Sequence, residues 1–237
     1  MVQKSKPPAA ANEPKRRGEP ERRGEPERRG EPERRGEPKR RGRPRAYEPE
    51  IALGKALDLF RRQGFAATSL DDLSEATGMN RPSLYGAFGD KRELYIKSYQ
   101  RYREEARASM LTIFREEMPL RQRLERIFAS ALNIYLSGET GPRGCFTVVT
   151  AASEAVSDPE IRAMVLDGLS ELDKAFANCF RKAKEKGELP ESADPAVLAQ
   201  LASATVHSIA IRSRARVSRK DLEAIVKGAI DVMVGAG

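Results

Sequence analysis

"GFAATSLDDLSEATGMNRPSLYGAFGDKRELY", residues 64–95, contains two short stretches of helical periodicity separated by a glycine. Thr68 precedes "SLDDLSEATG" with Asp71 three residues on, the spacing of a capping box whose acid also favours the helix dipole. This predicts a helix from about Ser69 to Thr77. After Gly78 and Met79, Asn80 is placed to cap a further helix, "RPSLYGAF". Pro82 in its first turn is tolerated because the missing N–H would have had no partner there, and Gly89 ends it. Two short helices joined by a tight turn, the second opening on polar residues, describe a helix-turn-helix whose second helix enters a major groove. A plain αα-corner in a helical bundle has the same outline.

Helical periodicity extends outward in both directions. In "PEIALGKALDLFRRQGF", Ile51, Leu53, Ala56, Leu57 and Phe60 recur at three- and four-residue steps, and Gly64 is positioned as a stop. On the other side a long helix runs from about Lys91 to Glu117, stopped by Pro119, and another from Leu120 to about Ser137. The loop "SGETGPRG" follows, and residues 145–156 read as a short, mostly buried helix with no polar stripe. Asp158-Pro159 starts a helix reaching Lys186, Asp194-Pro195 one reaching about Arg214, and Ser218-x-x-Asp221 one reaching Val234. No segment alternates convincingly with period two, so the expected fold is all-α.

The opening stretch resembles the DNA-binding domain of the TetR family of transcriptional regulators. Gly64, Thr68, Leu73, Ala76, Gly78, Leu84, Tyr85, Phe88, Lys91 and Leu94 stand at the family's spacing, whereas the C-terminal region resembles it only in helix count, length and order. The resemblance implies a three-helix DNA-binding domain over residues 47–95 and an effector-binding and dimerisation domain over residues 96–237. It also implies a homodimer on double-stranded operator DNA, released by a small-molecule or electrophile effector, most often as a repressor. The operator is expected to be an inverted repeat, because a two-fold dimer requires two-fold related half-sites.

On that reading Arg81 makes the bidentate contact to guanine O6 and N7, while Pro82 and Ser83 lie against a thymine methyl and a base edge or phosphate. Tyr85 and Lys91 match the family's phosphate-binding positions, which orient the protein without specifying sequence, although a tyrosine at 85 is also free to pack. Thr68 and Ser69 join this set at the start of the preceding helix. Leu84 and Phe88, one turn apart, read as core. Asp71 and Asp72 stand where many relatives present basic or hydroxyl residues, and Gly86 and Ala87 replace larger side chains. Both departures shift DNA-binding weight toward the N-terminal tail.

That tail is unlike the rest of the chain. Residues 1–46 hold 16 Lys+Arg against 8 Asp+Glu, which accounts for the whole formal charge of +8, so the remainder is neutral. With only Met1 and Val2 as large apolar residues, this segment cannot offset its own ordering entropy and is read as disordered. Residues 16–45 write one six-residue unit five times: three neutral copies of "RRGEPE", then "RRGEPK", then "RRGRPR". Arg41-Gly42-Arg43-Pro44 in the last copy resembles an AT-hook core, in which arginines enter a narrow A·T minor groove. Arg41, Arg43 and Arg45 are therefore expected to contact DNA, whereas Glu19, Glu25 and Glu31 make the earlier copies poor hooks, leaving them as a spacer.

Effector candidates are Tyr99, Phe114, Phe128, Tyr135, Phe146 and Phe176, each of which either lines a cavity or fills the bundle core. Cys145 in "GPRGC" follows Arg143 at a predicted helix start, where a cation and the dipole favour a reactive thiolate; the competing reading is a small buried residue. Cys179 reads as structural, and the single His207 has no second histidine to complete a metal site. No cofactor is expected. With no phosphate-binding glycine loop and no paired inward carboxylates, the chain reads as a non-enzyme, and with no signal peptide or 18-residue apolar run it reads as cytoplasmic. An architectural DNA-binding protein without a small-molecule switch is the alternative, which a core without a ligand-sized void would favour.

Overall fold

Local capping explains most of the element boundaries. The computed structural model describes residues 48–138 and 141–235, so the readings on Arg41, Arg43, Arg45 and the repeats lie outside the described residues. Among the described residues the elements are α1 (Pro49–Ala67), α2 (Leu70–Thr77), α3 (Arg81–Phe88), α4 (Lys91–Arg115) and α5 (Leu120–Leu136). A π-helical turn (Thr147–Ala151) runs into α6 (Ala152–Glu154), followed by α7 (Pro159–Glu185), α8 (Pro195–Arg214) and α9 (Arg219–Val234). Asp90, Asp158, Asp194 and Ser218 each accept backbone N–H bonds in the first turns of α4, α7, α8 and α9. No strand occurs among the described residues, and none of their helices is long and apolar enough to cross a membrane. The fold is all-α, with an N-terminal helix-turn-helix and a C-terminal helical region.

Three expectations change in detail. Gly64 interrupts α1 rather than ending it: its φ of 80° and ψ of 175° break the helix, and one further turn follows to Ala67. The capping box at α2 is Ser69 with Asp72, one residue later than predicted. The Thr68 side chain is turned inward, its hydroxyl donating to the Gly64 carbonyl at 2.6 Å, and it is the Ser69 hydroxyl that accepts from Asp72 N–H. The predicted buried helix over 145–156 is buried only in part: Cys145, Phe146, Thr150 and Ala151 lie inside, while Ala152, Ser153 and Val156 face solvent.

α1 packs against α2, α4 and the π-helical turn; α7 packs along α8, and α5 lies against α8 and α9. Aromatic rings run through the first of these contacts without interruption. Phe65 and Phe60 of α1 meet Tyr95 of α4 at 5.1 and 5.0 Å between ring centres, and Tyr95 meets Phe146 at 5.1 Å. Phe146 also stacks on Tyr99 at 5.1 Å and lies 5.8 Å from Tyr102. A second group, Phe114, Phe128, Phe176 and Phe180, fills the far end of the C-terminal region.

Candidate nucleic-acid interface and the junction behind it

α3 separates its residues by face. Leu84 and Phe88, one turn apart, are buried, while Arg81, Pro82, Tyr85 and Gly86 are exposed on the opposite side. Both ends of the helix are fixed: Asn80 Oδ1 accepts from Ser83 N–H at 2.9 Å, and Lys97 Nζ on α4 donates to the Phe88 carbonyl at 2.8 Å. An eight-residue helix with so little intrinsic stability needs such anchors to present its outer face in one orientation. Ser69 is exposed at the start of α2, and Ser83 is half-buried on α3.

Of the predicted contact residues among those described, Thr68 is the one turned inward. It is 1% exposed, and its hydroxyl is spent on the Gly64 carbonyl. Lys91 lies partly covered at the start of α4, with its ammonium 4.4 Å from the centre of the Phe65 ring. Arg81 is outward but not free: Nε and Nη2 both donate to Asp71 Oδ1, at 3.1 and 2.7 Å. Nothing in the sequence pattern pairs residues ten apart across a turn, so this bond was missed.

Behind this face lies a junction built by arginines. Arg61 of α1 is 6% exposed, an unusual burial for a charged side chain, and donates through Nη2 to the Gly144 carbonyl at 2.6 Å and the Ile134 carbonyl at 3.3 Å. Its guanidinium also lies 5.0 Å from the Tyr102 ring centre. Arg143 pairs back to Asp58 of α1. From α8, Arg214 donates to the Arg61 carbonyl at 2.7 Å and to the Arg62 carbonyl. These are the carbonyls just before the break at Gly64, where helical partners run out. Sequence reading missed Arg61 and Arg214; an arginine embedded beside Phe60 in an apolar-periodic helix was the available signal.

Cys145 sits at the centre of this junction and is 7% exposed. The hydroxyls of Tyr102 and Tyr135 flank its thiol, and burial, reinforced by that thiol, pushes both phenols well above their usual range. Its neighbouring cation is Arg61 rather than the predicted Arg143, which is turned to Asp58. Cys179, by contrast, lies where burial pushes the thiol up despite Arg123 nearby. Burial also lowers the His207 imidazole below its ordinary value.

The other effector candidates lie in the core, except Phe114, which is half-buried and packs against it. Tyr99, Phe128, Phe146 and Phe176 have no accessible surface, Tyr135 has 3%, and Phe114 packs edge-on against Phe176 at 5.5 Å. Side chains without accessible surface border no water-sized void, so in this conformation these rings close on one another rather than around a cavity.

The fixed α2-turn-α3 unit, with an outward polar helix face and a bundle behind it, defines a helix-turn-helix DNA-binding protein. Residues 52–97 match the model of the bacterial regulatory proteins of the tetR family, and residues 121–229 match that of the tetracyclin repressor-like C-terminal domain. The chain is 30% identical over 179 residues to the HTH-type transcriptional repressor ComR of Escherichia coli (strain K12), covering 75% of this chain and 85% of ComR. It is 33% identical over 118 residues to the repressor BdcR of the same organism, covering 50% of this chain and 58% of BdcR. A cysteine-substituted form of the TetR family regulator CifR, solved on a 26-base-pair double-strand operator DNA, superposes with a TM-score of 0.71 at 27% identity. That match covers 81% of this chain and 100% of the solved CifR chain. The chain belongs to the TetR family and is a DNA-binding transcriptional regulator whose partner is double-stranded DNA.

Proposed function

We propose that this regulator is a cytoplasmic repressor that holds an inverted-repeat operator as a homodimer and releases it when a small thiol-reactive effector modifies Cys145. The placement of Cys145 carries this reading. Its thiol is enclosed by Arg61 of α1, Tyr102 of α4 and Tyr135 of α5, so any group added to the sulfur must displace an element tied to the DNA-binding helices. In conjugate addition the thiol gives its proton to solvent, the sulfur bonds to the terminal carbon of an activated alkene, the carbon–carbon π bond breaks onto the neighbouring carbon, and that carbon takes a proton from solvent. The closed aromatic core fits a small reactive effector better than a large lodged one.

Dimerisation has its own support. α8 exposes Val197, Leu201, Ala204 and Ile211 at alternating four- and three-residue steps through half-buried Ser208, and α9 exposes Ala224, Gly228 and Val232 at four-residue steps. The same reading keeps the division into a tail over 1–46, a DNA-binding domain over 47–95 and an effector and dimerisation domain over 96–237. DNA contacts come from Ser69, Arg81, Pro82, Ser83, Tyr85 and Lys91, with Arg41, Arg43 and Arg45 in the adjacent minor groove. Thr68 acts through the backbone it holds.

The test is to challenge operator-bound protein with an electrophile. The wild-type complex is expected to dissociate and Cys145→Ser to stay bound; equal release from both overturns the sensor. No release by any compound favours an architectural DNA-binding protein, a reading that the closed core also supports.

A further inference from the structure

We propose that Asp71 is a specificity-determining residue: it holds the Arg81 guanidinium so that the terminal edge of the fork, rather than its side edge, is offered to DNA. This rests on the reading of Arg81 as a base-contacting residue and adds what makes that contact selective.

The five N–H groups of an arginine are set in a rigid plane. Those of Nε and one of Nη2 lie along the side edge, and both are committed to a single oxygen, Asp71 Oδ1, at 3.1 and 2.7 Å. Three remain: one Nη1 N–H points away on the opposite side, while the other and one from Nη2 form the terminal edge, nearly parallel. That is the spacing that meets guanine O6 and N7 together. An unheld arginine at this position, 55% exposed, has no such constraint and pairs equally well with a phosphate through either edge.

Charge acts in the same direction. Asp71 is 78% exposed near the start of α2, on the side of the helix pair that bears Arg81. A carboxylate there is repelled by phosphates, so the pair as a whole adds almost no non-specific attraction. The neighbouring acid, Asp72, is occupied differently, closing the α2 cap with the backbone N–H and hydroxyl of Ser69. Exposed ion pairs contribute little to fold stability, so holding the two helices together does not account for this one. Pre-ordering a long side chain also removes part of the entropy lost on binding, and removes it only for the orientation that is held.

The experiment uses the full chain and duplexes chosen by selection from random DNA, with a scrambled duplex as the non-specific reference. Binding is measured over a range of salt for Arg81→Ala, Asp71→Ala, Asp71→Asn and the double alanine variant, alongside thermal melts. Arg81→Ala and Asp71→Ala are each expected to lose on the order of 10-fold discrimination at the same base pair and its symmetry mate. Asp71→Ala should also bind the scrambled duplex more tightly, and the double variant should discriminate no worse than Arg81→Ala alone. Asp71→Asn, which keeps an acceptor but drops the charge, should recover discrimination while retaining the tighter non-specific binding. If Arg81→Ala loses discrimination and Asp71→Ala does not, the positioning role is overturned and base reading by Arg81 stands. Loss spread evenly over all base pairs with a lowered melting temperature also overturns it, in favour of a structural brace. No loss at any base pair in Arg81→Ala overturns the base reading itself.

Discussion

Arg81 and Arg61 are the same residue type placed in two opposite settings. Arg81 stands at the start of α3, more than half exposed, with a carboxylate for a partner. Arg61 is almost fully buried and donates to two backbone carbonyls more than seventy positions away in sequence. Water surrounds the first and competes with its ion pair, so its removal leaves no group stranded. Around the second there is little water to replace it, so its removal orphans the Gly144 carbonyl, an acceptor that the fold has already desolvated. The surface arginine is open to functional change; the buried one belongs to the packing that joins α1 to the C-terminal helices.

The contrast can be broken by measuring stability in denaturant. The largest loss is expected for Phe146→Ala, about 4 kcal/mol, because the ring is fully buried against Tyr95, Tyr99 and Tyr102 where the two regions meet. Arg61→Met, which keeps the volume and drops the donors, should cost about 2 kcal/mol by leaving the Gly144 carbonyl unpaired, whereas the Ile134 carbonyl still accepts from the Ser137 hydroxyl at 2.9 Å. Arg81→Ala should change stability by less than about 0.5 kcal/mol. Equal losses for the two arginine variants would remove the distinction. The smallest effect is one of pH. The Arg92 guanidinium, hydrogen-bonded to Asp158, holds that carboxyl at about 2 against an ordinary 3.8. A lowered carboxyl contributes stability above its unfolded value and loses it as pH falls through the folded one. Acid unfolding followed by circular dichroism should therefore steepen between 3.8 and about 2, and Asp158→Asn should flatten that stretch; an unchanged curve would show that the pair contributes nothing.

What was legible in the sequence was what depends on near neighbours. Asn80, Pro82, Gly78 and the spacing of Leu84 and Phe88 act within one or two turns, and they place α2 and α3 correctly. The α2 cap slipped by one because Thr68-Ser69 and Asp71-Asp72 offer two registers. The bond from Thr68 to Gly64 selects between them, and it depends on the break in α1. The aromatics read first as bundle core, yet lining a cavity stayed open, since periodicity reports which face is apolar and not whether another ring covers it. The junction was illegible for a different reason. Arg61, Arg143 and Arg214 find their partners 73 to 153 positions away, at distances a local pattern does not encode.

Arg214 has a consequence for the DNA itself. It ties the last carbonyls before Gly64 to the end of α8, the helix that carries the exposed apolar stripe. In a dimer paired along α8, the separation of the two reading helices is then set by a stiff rod and a pair of hydrogen bonds instead of a slack linker. Duplex DNA turns once in roughly 10 base pairs, so one base pair inserted between half-sites rotates the second by about a tenth of a turn. A protein joined in this way acts as a ruler, and the spacing between half-sites becomes as much a part of its target as their letters.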